Sequence, residues 1–159
     1  LRRAGVECLM VSADDQDTVT GARGMEVTMD EKLSEIDDQC DLVVLPGGIP
    51  GVPNLKANPK VQAMVKAQND RGGYVAAICA GPTALGAFGV LADKNATCYP
   101  GCEDQLMAKS HSTEPVVVDG NVITSRGVGT AIEFALKLVE ILIDRQTADD
   151  LAEKIVYKR

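Results

Sequence analysis

Two short runs of apolar residues constrain this chain most. The first is Leu42-Val43-Val44-Leu45, cut off by Pro46-Gly47-Gly48, and the second is Tyr74-Val75-Ala76-Ala77-Ile78, cut off by Cys79-Ala80-Gly81-Pro82. A strand with no polar alternation is buried on both faces, which parallel sheets achieve by laying helices over each side. The neighbouring segments supply those helices. Asn58-Pro59 is a helix start, with Asn as N-cap and Pro at the first position. Val61, Met64, Val65 and Gln68 then fall on one face, and Gly72-Gly73 stops the helix. Pro82 opens another. Residues 116–125 (VVVDGNVITS) read as a hairpin with Asp119-Gly120 in the turn. Thr130 and Glu133 predict a capping box for a helix over 131–143, with Ile132, Ala135, Leu138, Val139 and Leu142 as its buried stripe. Residues 147–155 predict a short final helix. At the other end, Leu1 to Gly5 (LRRAG) resembles the last turn of a helix with a C-terminal glycine, and residues 6–11 predict a strand. Strands and helices alternate throughout, so the predicted class is α/β with a mostly parallel sheet.

Composition narrows the function. The chain has 159 residues, 45% of them hydrophobic, and a net charge of −7, which disfavours a nucleic-acid groove or an anionic membrane as the main partner. No apolar run approaches the ~20 residues of a membrane span, and no signal-peptide pattern is read. The cysteines Cys8, Cys40, Cys79, Cys98 and Cys102 are odd in number, and their spacing suggests no disulfide framework. A cytoplasmic protein carrying thiols is the expectation.

The chemistry concentrates at Cys79. A strand ends, the thiol sits in the turn, and a helix begins at Pro82. Backbone N–H groups at that helix start favour a thiolate and offer donors to an oxyanion. Ala80 and Gly81 are small enough for a tight turn. The arrangement is that of a hydrolase nucleophile elbow with Cys in place of Ser. Ligands of parallel α/β sheets bind beyond the carboxyl ends of the strands. Gly47-Gly48 at the preceding strand end is therefore placed to face Cys79, and Arg126 to attract an anion. Plainer readings stand beside these. A thiol can be a small buried hydrophobe, Gly47-Gly48 only a turn, and Arg126 a structural ion pair. Cys8 and Cys40 read as packing residues. Cys98 and Cys102, with Glu103 and His111, offer too few ligands for zinc. His111, the only histidine, lies in a polar segment and reads as a surface residue, with a catalytic role as the alternative.

Four motifs taken together, LRRAG, DLVVLPGG, AAICAGPTAL and ITSRGVGTAIEFAL, resemble the ThiJ/PfpI superfamily in the branch of the Parkinsonism-associated protein deglycase. The resemblance covers essentially the whole chain and implies one domain over 1–159, a flavodoxin-like three-layer sandwich, and a homodimer. It matches Cys79 to the family's reactive cysteine, and Gly48 and Ala80 to the backbone N–H donors for an oxyanion. Gly47 and Arg126 become substrate-binding positions, and Arg3, Arg23 and Arg126 fall near arginines at the dimer contact and active site. Protease-like relatives have His after the cysteine, where this chain has Ala80. Class I glutamine amidotransferases need a His-x-Glu, whereas His111 is followed by Ser112-Thr113.

Three departures qualify the match. The family begins with a strand and a turn whose Glu contacts the thiol. That unit and most of the first helix are not in this sequence, so the chain is expected to be a fragment whose sheet lacks a central strand. Tyr99 stands where some relatives have His, and Val128 where SRGPG has Pro. The function implied is a glyoxalase or deglycase acting on 2-oxoaldehydes such as methylglyoxal or their early adducts, with no cofactor and no metal. The alternative is an oxidative-stress sensor or chaperone using the same Cys79. A structural dimer with an inert Cys79 is a third reading. Expected partners are a small aldehyde substrate, a second copy, and the chain's own missing N-terminal segment.

Overall fold

The computed structural model describes residues 1–37 and 39–158. In chain order the elements are β1 (Val11–Ser12), β2 (Thr18–Thr20), β3 (Glu26–Thr28), β4 (Glu31–Lys32), β5 (Leu42–Leu45), α1 (Gly51–Ala57), α2 (Pro59–Asp70), β6 (Tyr74–Ile78), α3 (Pro82–Ala87), β7 (Asn95–Ala96), β8 (Ser110–His111), β9 (Val116–Asp119), β10 (Val122–Ser125), α4 (Ala131–Leu142) and α5 (Arg145–Lys154). The main sheet has four strands in the order β5-β6-β10-β9. β5, β6 and β10 run parallel, and β9 returns antiparallel beside β10. This is the α/β class that the apolar runs predict.

β6 shows why both faces must be covered. Val75 and Ala77 point into a cluster with Leu45, Val61, Val65 and Leu85, from the side of α2 and α3. Ala76 points the other way, into a cluster with Ile123, Phe134 and Leu138, from the side of α4. Alternation along a strand thus serves two helical layers. α2 begins as expected: the Asn58 Oδ1 accepts from Lys60 N at 2.9 Å and Val61 N at 3.2 Å, with Pro59 at the first position.

Several expectations need correction. The run at residues 6–11 enters a ladder only at its end, where Val11 and Ser12 pair with Glu31 and Lys32. A 3-10 turn at Arg2–Ala4, closed by Gly5 at φ +84°, precedes it, and the Arg2 Nε then bonds the Cys8 carbonyl at 2.9 Å. The hairpin turn is Gly120-Asn121, with Asp119 still paired to Val122 and Gly120 at φ +62°. Thr130 makes no side-chain cap. Its hydroxyl is taken by Ser125 Oγ at 2.7 Å and the Gly127 carbonyl at 3.0 Å, so the capping box does not form. The buried stripe of α4 is Phe134, Leu136, Leu138 and Val139, and Ile132 is 48% exposed. The helix is rolled because it packs on the sheet and on α5 together. α1, the β2–β3 hairpin and the β7–β8 pair are short elements beyond those the sequence pattern predicts.

Candidate functional site

Cys79 follows β6 directly and takes a left-handed backbone, φ +65°. A non-glycine residue there carries strain that the surroundings must fix. Three segments fix it. The Cys79 N–H donates to the Ser125 carbonyl at 2.9 Å, at the end of β10, and the Cys79 carbonyl accepts from Tyr99 N–H at 2.8 Å. Gly47, beyond the end of β5, closes the third side. A Cβ on Gly47 would lie 2.5 Å from Cys79 Cβ and 3.1 Å from its Sγ. Only glycine fits against the thiol. Gly81 is equally confined, since a Cβ there would lie 2.7 Å from the Leu45 carbonyl and 2.9 Å from those of Ile78 and Pro46. The adjacent ends of β5 and β6 are thus packed backbone to backbone, with the sulfur between them half-buried.

The turn narrows the set of donors. Gly81 N–H bonds the Ile78 carbonyl at 3.0 Å, Thr83 N–H bonds the Ala80 carbonyl at 3.1 Å, and Pro82 has no N–H. The helix start therefore offers fewer groups than its sequence suggests. Among the described residues, no protein acceptor takes the Ala80 or Gly48 N–H. Gly48 has φ +101°, a backbone state that glycine adopts without strain.

The remaining predicted residues sort by position. Arg126 is half-buried; its Nη1 donates to the Thr113 carbonyl at 3.2 Å, and its buried Nε has no partner. Among the described residues it forms no close ion pair, although its charge helps to hold the Glu103 carboxyl down. Arg3 and Arg23 are exposed. His111 is exposed on β8. Cys40 is exposed, with its thiol 3.8 Å from Gln68 Oε1, and so is not the packing residue expected; Cys8 is half-buried. Cys98 is fully buried, and burial, followed by the charges of Glu103 and Cys102, pushes its thiol up to about 11. Cys102 is half-buried and raised by burial first and then by Cys79. The Glu103 carboxylate accepts from Gly101 N–H at 2.7 Å, and hydrogen bonds from its own and the Gly101 backbone hold it below the usual range. Among the described residues no group of three or more His, Cys, Asp or Glu is placed to hold a metal ion. No helix among them is long and apolar enough to cross a membrane.

Tyr99 belongs to the site although the sequence singled it out only as a departure. Its backbone holds the Cys79 carbonyl, and its ring lies over Gly127, where a Cβ would come within 3.3 Å of Cδ2. The signal in the sequence is that Tyr99 stands where some relatives have His, directly after Cys98.

Comparison with known proteins matches residues 1–141 to the model of the DJ-1/PfpI family. The chain belongs to the DJ-1/PfpI family. It is 40% identical over 163 residues to the Parkinson disease protein 7 homolog of Danio rerio, covering 99% of this chain and 86% of that one. It is 34% identical over 158 residues to the glutathione-independent glyoxalase DJR-1.2 of Caenorhabditis elegans, covering 98% and 83%. Among solved structures, oxidized Toxoplasma gondii DJ-1 superposes with a TM-score of 0.95 at 35% identity, covering 99% of this chain and 87% of that one. The resemblance in the four motifs and the flavodoxin-like α/β fold both stand.

Proposed function

We propose that the protein is a cysteine-dependent enzyme of the glyoxalase or deglycase type, acting on 2-oxoaldehydes such as methylglyoxal or their early glycation adducts without glutathione. The observation that carries this reading is the Cys79 elbow, a left-handed cysteine at a strand end with Gly47 fitted against its sulfur. The nematode relative named a glutathione-independent glyoxalase points the same way.

The chemistry follows from the donors. The Cys79 thiolate adds to the aldehyde carbon and forms a hemithioacetal, while Gly48 and Ala80 N–H groups hold the new oxyanion. Moving the proton from the first carbon to the second needs a general base. Among the described residues no carboxylate bonds Cys79. The resemblance assigns that role to a glutamate of the family's N-terminal unit, which these residues do not include. The resulting thioester is hydrolysed to the hydroxy acid, and the thiol returns. Arg126, with an unpartnered Nε, attracts the anionic product. The protein works in the cytoplasm as a homodimer on this reading, with Arg3 and Arg23 near the contact.

The test adds methylglyoxal to the intact protein without glutathione and measures lactate. Lactate from the parent and none from Cys79→Ala is the expected result. Equal lactate from both would reject Cys79 as the nucleophile. A second reading, a redox sensor or chaperone, is favoured by the relative whose structure is of an oxidized form. Turnover separates the two, since a sensor is consumed once per oxidation.

A further inference from the structure

Three cysteines meet at the site, and the chemistry above uses one. Cys98 and Cys102 flank Tyr99, whose N–H bonds the Cys79 carbonyl at 2.8 Å. The Tyr99 carbonyl in turn accepts from Cys102 N–H at 3.0 Å, closing the turn Tyr99-Pro100-Gly101-Cys102 with Gly101 at φ +91°. Pro in the second place and a left-handed glycine in the third describe a type II turn. Cys102 is therefore hung from the Cys79 backbone by two successive hydrogen bonds. It packs on the same cluster that holds Ala80 and Cys98.

The two neighbours differ in access. Cys98 is fully buried, whereas Cys79 and Cys102 are both half-buried. Gly47 lies against one side of the Cys79 sulfur. The tip of that turn, Pro100-Gly101, is exposed. Cys79 is the second cause, after burial, of the raised Cys102 thiol.

We propose that Cys102 is a resolving thiol for Cys79. A hydroperoxide oxidises the Cys79 thiolate: sulfur takes one oxygen, the O–O bond breaks, and the alcohol or water leaves, giving the sulfenic acid. The Cys102 sulfur then displaces the hydroxyl as water, and a Cys79–Cys102 disulfide forms. The Tyr99 turn moves to bring the two Cα atoms into the range of roughly 4.4–6.8 Å that a disulfide requires. A dithiol reductant restores both thiols. The bond keeps Cys79 from irreversible over-oxidation and switches the enzyme off reversibly. The proposal rests on the half-buried, nucleophilic Cys79 of the proposed function.

The test treats the intact protein, Cys102→Ser and Cys102→Ala with hydrogen peroxide and maps peptides without reduction. The expected result is a loss of about 2 Da in the parent, with a cross-linked peptide joining Cys79 to Cys102 that dithiothreitol releases. Both variants instead gain about 32 Da on Cys79. Parent and variants gaining that mass at equal rates, with Cys102 still alkylated, would overturn the proposal and leave a reactive Cys79 intact. A Cys79–Cys98 link would overturn the assignment of Cys102. Cys79 unoxidised in all three, and unlabelled by dimedone, would overturn this proposal together with the reactive-cysteine reading.

Discussion

The main sheet and the first 37 residues are held by different forces. In β6, Val75, Ala76 and Ala77 are fully buried, and all four residues of β10 are buried. In residues 1–37 the buried side chains are Ser12 and Leu33, and the β2–β3 hairpin is open to solvent. That region reaches the core through few apolar side chains, Leu33 with Val11, Ala13 and Ile36 beside it, and adds polar contacts. Arg2 pairs with Asp30, Lys32 pairs with Asp17 at 2.9 Å, and Met10 N–H bonds Asp30 Oδ2 at 2.6 Å. Its links to α2 are Asn58 Nδ2 on the Ala13 carbonyl at 2.8 Å and Lys60 Nζ on the Leu33 carbonyl. Apolar burial gives large stabilisation that salt does not screen, whereas exposed ion pairs are screened and weak. The reactive thiol sits at the end of the first kind of structure, where a strained φ can be enforced. The N-terminal region is expected to open at lower free energy than the sheet, which amide exchange checks.

The largest expected effect is in the sheet. Phe134→Ala empties a buried site beneath β6 and β10 and should cost about 3–5 kcal/mol in urea unfolding. A loss below 1 kcal/mol would break the contrast. Gly47→Ala comes next, at about 1–3 kcal/mol from overpacking against Cys79 and Ile78. Its sharper reading is loss of methylglyoxal turnover, since the elbow must shift to admit a Cβ. Asn58→Ala removes the α2 cap and should cost about 1 kcal/mol. It also releases Ala13, so amide exchange in residues 1–37 should rise while β6 and β10 stay protected. Uniform acceleration would show that the two regions open together.

The effect that is smallest at neutral pH, and grows only in alkali, concerns Cys98. Cys98 is a buried thiol whose folded value lies near 11, above the unfolded reference of about 8.5. The unfolded state therefore loses its proton first, and stability falls as pH rises from about 8.5 towards 11. Cys98→Ala should fall less over that window, as followed by thermal melts.

The sequence and the structure agree where the signal is local. LVVL and YVAAI mark strands by their shortness and flanking turns, and Asn58-Pro59 carries its own cap, but of the two only β6 is buried on both faces: β5 lies at the sheet edge, so Val44 is exposed and Leu42 and Val43 are half-buried. The elbow at Cys79 was legible for the same reason. What failed depended on distant partners. Residues 6–11 look like a strand, but their ladder begins only at Val11 because β4 is short. Thr130 has the capping residue type, yet Ser125, brought near by β10, captures its hydroxyl. α1 has seven residues, too few for a periodic stripe. Gly47 read as a turn with a place in substrate binding; that it must be glycine follows only from its contact with Cys79.

Site-resolved alkylation tests the central claim most directly. The intact protein is exposed to iodoacetamide with and without methylglyoxal, and the rate at each of the five cysteines is read by mass spectrometry. The account predicts that Cys79 reacts much faster than Cys98 and Cys102, and that methylglyoxal protects it selectively. A Cys79 that reacts as slowly as the fully buried Cys98, and that methylglyoxal does not protect, would contradict the account.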